Sequence, residues 1–177
     1  MSWINHPIQN ASKEYRSRAQ AQQNILTKPL GSLGRLEQIA IDLAAIQRTD
    51  TPSADRIGIH IFAADHGVAV ENVSAFPQVV TGEMIRNFAT GGAAISILAQ
   101  QLQAPLAVHN LGTVNTRGIN GQWVEDETFK DVTHYQLGKG TANFCQQTAM
   151  TAEQLERALE VGKLAAETSI NSGCDII

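Results

Sequence analysis

IGIHIFAADHGVAVENVSAFPQVVTGEMIRNFATGGAA, residues 57–94, decides how this chain folds. Ile57, Ile59, Ile61 and Phe62 make an apolar run broken only by His60, the pattern of a strand covered on both faces. The run stops at Asp65-His66-Gly67. Open α/β sheets bind ligands in the crevice beyond the carboxyl ends of their strands, so a carboxylate, an imidazole and a glycine at this point form a candidate cleft. A polar turn that simply ends the strand accounts for the same residues, and both readings stay open here. Asp65 and His66 each have the chemistry of a general base.

Downstream, Val68 to Pro77 reads as a loop, and Thr81 as the N-cap of a helix carrying Met84, Ile85 and Phe88. Gly91-Gly92 breaks that helix, and Ile95, Leu98, Ala99 and Leu102 restart the helical period. Pro105 to Leu111 is a second buried strand, ending in a loop at Gly112-Thr113-Val114-Asn115 that forms the cleft's other edge. Residues 116–140 show no strong period. Glu125, Asp126, Glu127 and Asp131 read as a solvated acidic loop, with Trp123 anchoring a short strand. Thr151 and Gln154 form a capping box opening a helix whose buried face is read as Leu155, Ala158, Leu159, Gly162, Ala166, Ser169 and Ile170. Gly173 ends it, and Cys174-Asp175-Ile176-Ile177 begins another apolar run.

This order defines an α/β fold, a parallel Rossmann-like sheet with crossover helices. Ahead of it, residues 11–27 read as a polar helix stopped by Pro29. Residues 33–47 read as an amphipathic helix capped by Ser32, its inner face being Leu36, Ile39, Ala40, Leu43 and Ile46. The domain reading is therefore a helical segment at 1–50 followed, from 51 to 177, by the first part of an α/β domain. The chain stops where a new strand begins, before the next strand-to-helix loop, so the α/β domain is expected to be truncated.

The 177 residues are 43% hydrophobic and carry a net charge of −4, with no basic block of the kind that tracks nucleic acid. Nucleic acid is not expected as a partner. No apolar stretch approaches the roughly 20 residues that span a bilayer, and the N-terminus lacks a signal-peptide core, so the reading is cytoplasmic with no membrane partner. Cys145 and Cys174 read as buried free thiols. The five histidines, at 6, 60, 66, 109 and 134, show no metal-ligand spacing, and no metal site is expected.

Four blocks then stand out: KPLGSLGRLE (28–37), AADHGVAVENVSAFPQVVTGEMIRNFATGGAAISILAQQ (63–101), NLGTVN (110–115) and GTANFCQQTAMT (140–151). In order and over nearly the whole chain they resemble the N-terminal half of the nicotinate-nucleotide:dimethylbenzimidazole phosphoribosyltransferase family of cobalamin lower-ligand synthesis. The resemblance implies attack by a benzimidazole nitrogen on C1 of the ribose of nicotinate mononucleotide. Nicotinate leaves, and inversion gives α-ribazole 5′-phosphate. It implies no cofactor and a homodimer.

The same resemblance places Phe76, Pro77 and Met84 in the base pocket, where some members have Ser at the position of Phe76 and Gln at that of Met84. It turns Asp65 and His66 from catalytic candidates into cleft residues, alongside Gly67 and Gly112. Asn110 and Thr148 depart from the family's usual Asp and frequent Pro. The family's catalytic glutamate and its GEMGIGNT phosphate loop fall beyond Ile177, so no catalytic residue is expected in this chain, and these residues alone are expected to be inactive. Two readings remain beside the enzyme: a benzimidazole-binding module without turnover, and an unrelated hydrolase using Asp65 and His66.

Overall fold

The computed structural model describes residues 3–114, 132–135 and 137–177. Two compact units divide at Asp55 and Arg56.

In the first unit, α1 (Lys13–Ile25) starts at Ser12, whose hydroxyl accepts the Tyr15 amide at 3.4 Å. It packs on α2 (Arg35–Gln47) through a Ser12 amide bond to the Ala45 carbonyl at 2.8 Å and an Arg16–Asp42 ion pair. Ser32 does not cap α2. The N-cap is Gly34, and the Glu37 carboxylate serves the helix start by accepting the Leu33 amide at 3.1 Å and Lys28 Nζ at 2.7 Å. Both contacts hold the Glu37 carboxyl below the usual carboxylate range, the Lys28 bond most strongly. The buried face of α2 is Ile41, Ala44 and Ala45, whereas Leu36, Ile39 and Ile46 are exposed. The helix is apolar on two sides, and periodicity alone cannot choose between them.

The second unit is a parallel three-stranded sheet in the order β1 (Ile59–Ala64), β2 (Leu106–Gly112), β3 (Val132–His134). Parallel neighbours need crossover segments, and α3 (Val79–Ala89) and α4 (Ala94–Leu102) supply the one between β1 and β2. Ile57 also forms an isolated parallel bridge with Ile176, on the side of β1 away from β2. The Trp123 strand and the acidic loop lie outside the described residues.

Alternate residues of a strand face opposite sides, and here the two sides differ sharply. On one, Val108 and Val132 pack with Ile85 of α3 and with Ala63, Phe88 and Ala89. On the other, His60, Phe62 and His109 stack, and Ser169 of α5 (Ala152–Asn171) bonds to His60. Phe62 remains 45% exposed, so β1 is not covered on both faces as its apolar run predicts.

Four other expectations shift. Thr81 lies inside α3, whose N-cap is Gln78. The inward side of α4 is Ser96 and Ala99, leaving Leu98 and Leu102 outward. The Thr151–Gln154 capping box is present at the start of α5, and Ser169 of the expected face is buried, but its buried companions are Val161 and Ala165, with Leu155 and Ile170 exposed. Cys145 is exposed and Cys174 partly so, so neither is a buried thiol.

Candidate functional site

A pocket of about 530 Å³ opens at the carboxyl end of β1. Its walls come from the end of β1, the turn after it and the outer side of α3, including Phe76, Pro77, Met84, Asp65 and His66. The sequence-predicted substrate contacts and two of the predicted cleft residues therefore share one cavity. Gly67 and Gly112 are not among its lining residues.

Those two glycines lie where segments cross. Gly67 donates its amide to the Thr141 carbonyl at 2.9 Å, and a Cβ there would sit 2.5 Å from the Asn143 nitrogen. Gly112 has φ 153°, and a Cβ on it would collide with the Gly138 carbonyl oxygen. Neither site has room for a side chain. Asp65, 2% exposed, ties the same crossing together. Its Oδ2 accepts the Val114 amide at 2.7 Å, its amide donates to the Gly112 carbonyl at 2.9 Å, and its carbonyl accepts the Thr141 amide at 3.0 Å. His66 follows in extended conformation at the start of a 3-10 turn over Gly67–Glu71. That turn is braced by Asn143, whose Nδ2 donates to Glu71 Oε1 at 2.6 Å.

Phe76 is 70% exposed and Met84 38%, so neither is a core residue. Phe76 is held by its own loop, with its amide donating to Ser74 Oγ at 3.2 Å. Gln78 then donates through Nε2 to the His66 carbonyl at 3.0 Å, which pins the start of α3 to the end of β1. The walls are mainly aliphatic and aromatic, with Val68, Val73, Val80 and Phe88 beside Phe76 and Met84. Such a lining grips a flat ring by stacking and thioether contact.

A second polar feature escaped sequence reading. Ser169 Oγ lies 2.6 Å from His60 Nε2, His60 Nδ1 lies 2.8 Å from His109 Nε2, and His109 Nδ1 lies 3.1 Å from the Tyr135 hydroxyl. Burial lowers the pKa of both histidines, with the neighbouring His60 ring adding to the effect on His109, and burial raises that of Tyr135. The available signal was a histidine inside each of two apolar strands. Their pairing depends on the β1–β2 register, in which His109 sits beside Phe62.

A parallel sheet with a ring-sized pocket at a strand's carboxyl end is the setting in which nucleotide and base chemistry is common. A family model described as "Phosphoribosyltransferase" (DBI_PRT) matches residues 8–177, and the chain belongs to this family. Its similar relatives carry the name nicotinate-nucleotide–dimethylbenzimidazole phosphoribosyltransferase. One from Pseudomonas aeruginosa (strain UCBPP-PA14) is 47% identical over 176 residues, covering 99% of this chain and 48% of the relative. Another from Xanthomonas oryzae pv. oryzae (strain PXO99A) is 51% identical over 160 residues, 90% of this chain and 43% of the relative. The crystal structure of the enzyme of that name from Thermus thermophilus superposes with a TM-score of 0.79 at 38% identity, over 92% of this chain and 47% of that one. The resemblance read from the four sequence blocks is borne out, as is the parallel α/β fold. The chain spans about half the length of the curated relatives it matches.

Proposed function

We propose that this chain supplies the base-binding wall of a site that moves the phosphoribosyl group of nicotinate mononucleotide onto 5,6-dimethylbenzimidazole, giving α-ribazole 5′-phosphate and nicotinate for cobalamin biosynthesis. The observation that supports it is the apolar pocket that gathers Phe76, Pro77 and Met84 beside Asp65 and His66. In this reading Phe76, Pro77 and Met84 hold the base, while Asp65, Gly67 and Gly112 fix the cleft. A neutral azole is a modest nucleophile, and removal of its second ring proton as the bond forms strengthens it. Asp65 is the one carboxylate among the pocket's lining residues, and its Oδ2 is already bonded to Val114. The resemblance implies that the proton acceptor and the phosphate cradle lie in the half of the relatives' length that this chain does not span.

The exposed apolar row Leu36, Ile39 and Ile46 supports a homodimer. A cytoplasmic location is part of the same proposal. Among the described residues no helix is long and apolar enough to cross a membrane.

Titrating dimethylbenzimidazole into the chain and assaying α-ribazole 5′-phosphate in the presence of nicotinate mononucleotide tests the reading. Binding without turnover is expected. Met84→Glu should weaken binding roughly tenfold or more, because a carboxylate would have to be desolvated against the ring. Turnover by these residues would overturn the division of labour, and absence of binding would overturn the ring site.

A further inference from the structure

The walls of the pocket differ in how they are held. Val80, Thr81 and Met84 stand on α3, and Ile61 and Ala63 on β1, within regular structure. Val73, Ser74, Phe76 and Pro77 stand instead on the 72–77 segment, every residue of which is exposed. With so little buried apolar contact, that segment takes its position from the hydrogen bonds at its ends. At the far end Gln78 Nε2 donates to the His66 carbonyl at 3.0 Å. At the near end the chain leaves its 3-10 turn at Glu71, whose partner is Asn143, 72 residues further on.

Asn143 is prepared for this contact. Its Oδ1 accepts the Cys145 amide at 3.0 Å, which orients the side-chain amide and leaves Nδ2 to donate to Glu71 Oε1, 2.6 Å away. Its carbonyl accepts the Gln146 and Gln147 amides, both at 3.0 Å, and its nitrogen lies against Gly67, where a Cβ would come within 2.5 Å. One segment therefore grips the 3-10 turn twice, through Thr141 at Gly67 and through Asn143 at Glu71. Neither Asn143 nor Glu71 lines the pocket. We propose that Asn143 is a positioning residue for the ring site: by holding Glu71 it sets where the 72–77 segment leaves the turn, and so where Phe76 stands when a ring is seated. A wall already in place need not be ordered on binding, and affinity rises accordingly. The assignment rests on the ring-site reading above and adds the group that fixes the pocket's exposed wall.

The test titrates 5,6-dimethylbenzimidazole into the 177-residue chain, into Asn143→Asp, and into a paired Asn143→Asp and Glu71→Gln variant. In Asn143→Asp one carboxylate oxygen still accepts the Cys145 amide, while Glu71 loses its donor and meets a like charge. The paired variant rebuilds the bond in reverse, with the new glutamine amide donating to the new carboxylate. Asn143→Asp should weaken binding about fivefold and lower the NMR amide order parameters of Val73 to Phe76. The paired variant should recover most of both. Because the effect runs through Phe76, Asn143→Asp should cost little more in a Phe76→Ala background, and its full factor in a Met84→Ala background. Equal losses in the two backgrounds, unchanged affinity in Asn143→Asp, or a paired variant no better than the single one would overturn the proposal. If Phe76→Ala binds too weakly to titrate, the paired variant and the order parameters decide. If Asn143→Asp does not fold, Glu71→Ala removes the same bond from the turn side and is held to the same outcomes. Absence of binding to the unmodified chain overturns the ring site, whereas unchanged order parameters in Asn143→Asp overturn the role of Asn143, so the two failures are read separately.

Discussion

The two sides of the sheet are built from the same strands and obey different rules. Towards α3, Val108 and Val132 meet Ile85 and Phe88, and any apolar residue of similar volume satisfies such a contact. Towards α5, His60, His109, Tyr135 and Ser169 form a chain in which each group depends on the next for a hydrogen-bond partner. An apolar face tolerates change in proportion to volume. A partly buried polar chain weakens when one member is removed, because its neighbours lose partners that water replaces only incompletely.

Breaking the apolar side outright should have the largest effect. Val108 is 1% exposed, and Val108→Asp places a charge with no partner there, for an expected loss of about 4 kcal/mol or more in urea unfolding. On the other side, His109→Leu keeps the bulk but orphans His60 Nδ1 and the Tyr135 hydroxyl, and about 2 kcal/mol should be lost. A paired His60→Leu and His109→Leu variant should lose less than the sum of the two single changes. An additive result would show that the chain carries no coupling.

Acid should separate the sides without mutation. Burial holds the folded-state pKa of His60 and His109 below the ordinary value of 6.5, so the unfolded chain takes up protons first as pH falls. Stability from these rings is therefore fully present above about pH 6.5 and is lost as pH drops from there towards the depressed folded values. Urea midpoints measured across that window should fall in the parent and run flatter in the paired leucine variant. The smallest effect is expected at the capping box that starts α5. Thr151→Ala should cost about 1 kcal/mol, and it should leave the pH slope unchanged if the histidine chain depends on the far end of that helix.

How much of this was legible differs from element to element. The β1 and β2 runs, the Gly91-Gly92 break, the capping box and the Gly173 stop are local signals, and each appears where the sequence put it. Phe76, Pro77 and Met84 were named through resemblance, and their meeting with Asp65 and His66 in one cavity fits that naming. Helix faces were read less well. In α2 most of the expected apolar stripe is exposed and the neighbouring stripe of Ile41, Ala44 and Ala45 is buried; in α5 Leu155, Gly162 and Ile170 of the expected face are exposed, Ser169 of that face is buried, and Val161 and Ala165 are buried beside it. Both helices offer two apolar rows, and only the packing partner selects one.

By itself the sequence determined the parallel α/β order, the place where the first strand ends and the family to which the four blocks belong, because propensity, turn chemistry and motif spacing are carried by neighbouring residues. Tertiary structure alone decided that Asp65 is buried in a loop crossing while His66 faces the pocket, and that His60 and His109 meet across two strands. Those outcomes depend on β1–β2 register and on the approach of the 138–143 segment to Asp65 and Gly67. Contacts between segments tens of residues apart are set by how the sheet is assembled, and no local pattern encodes them.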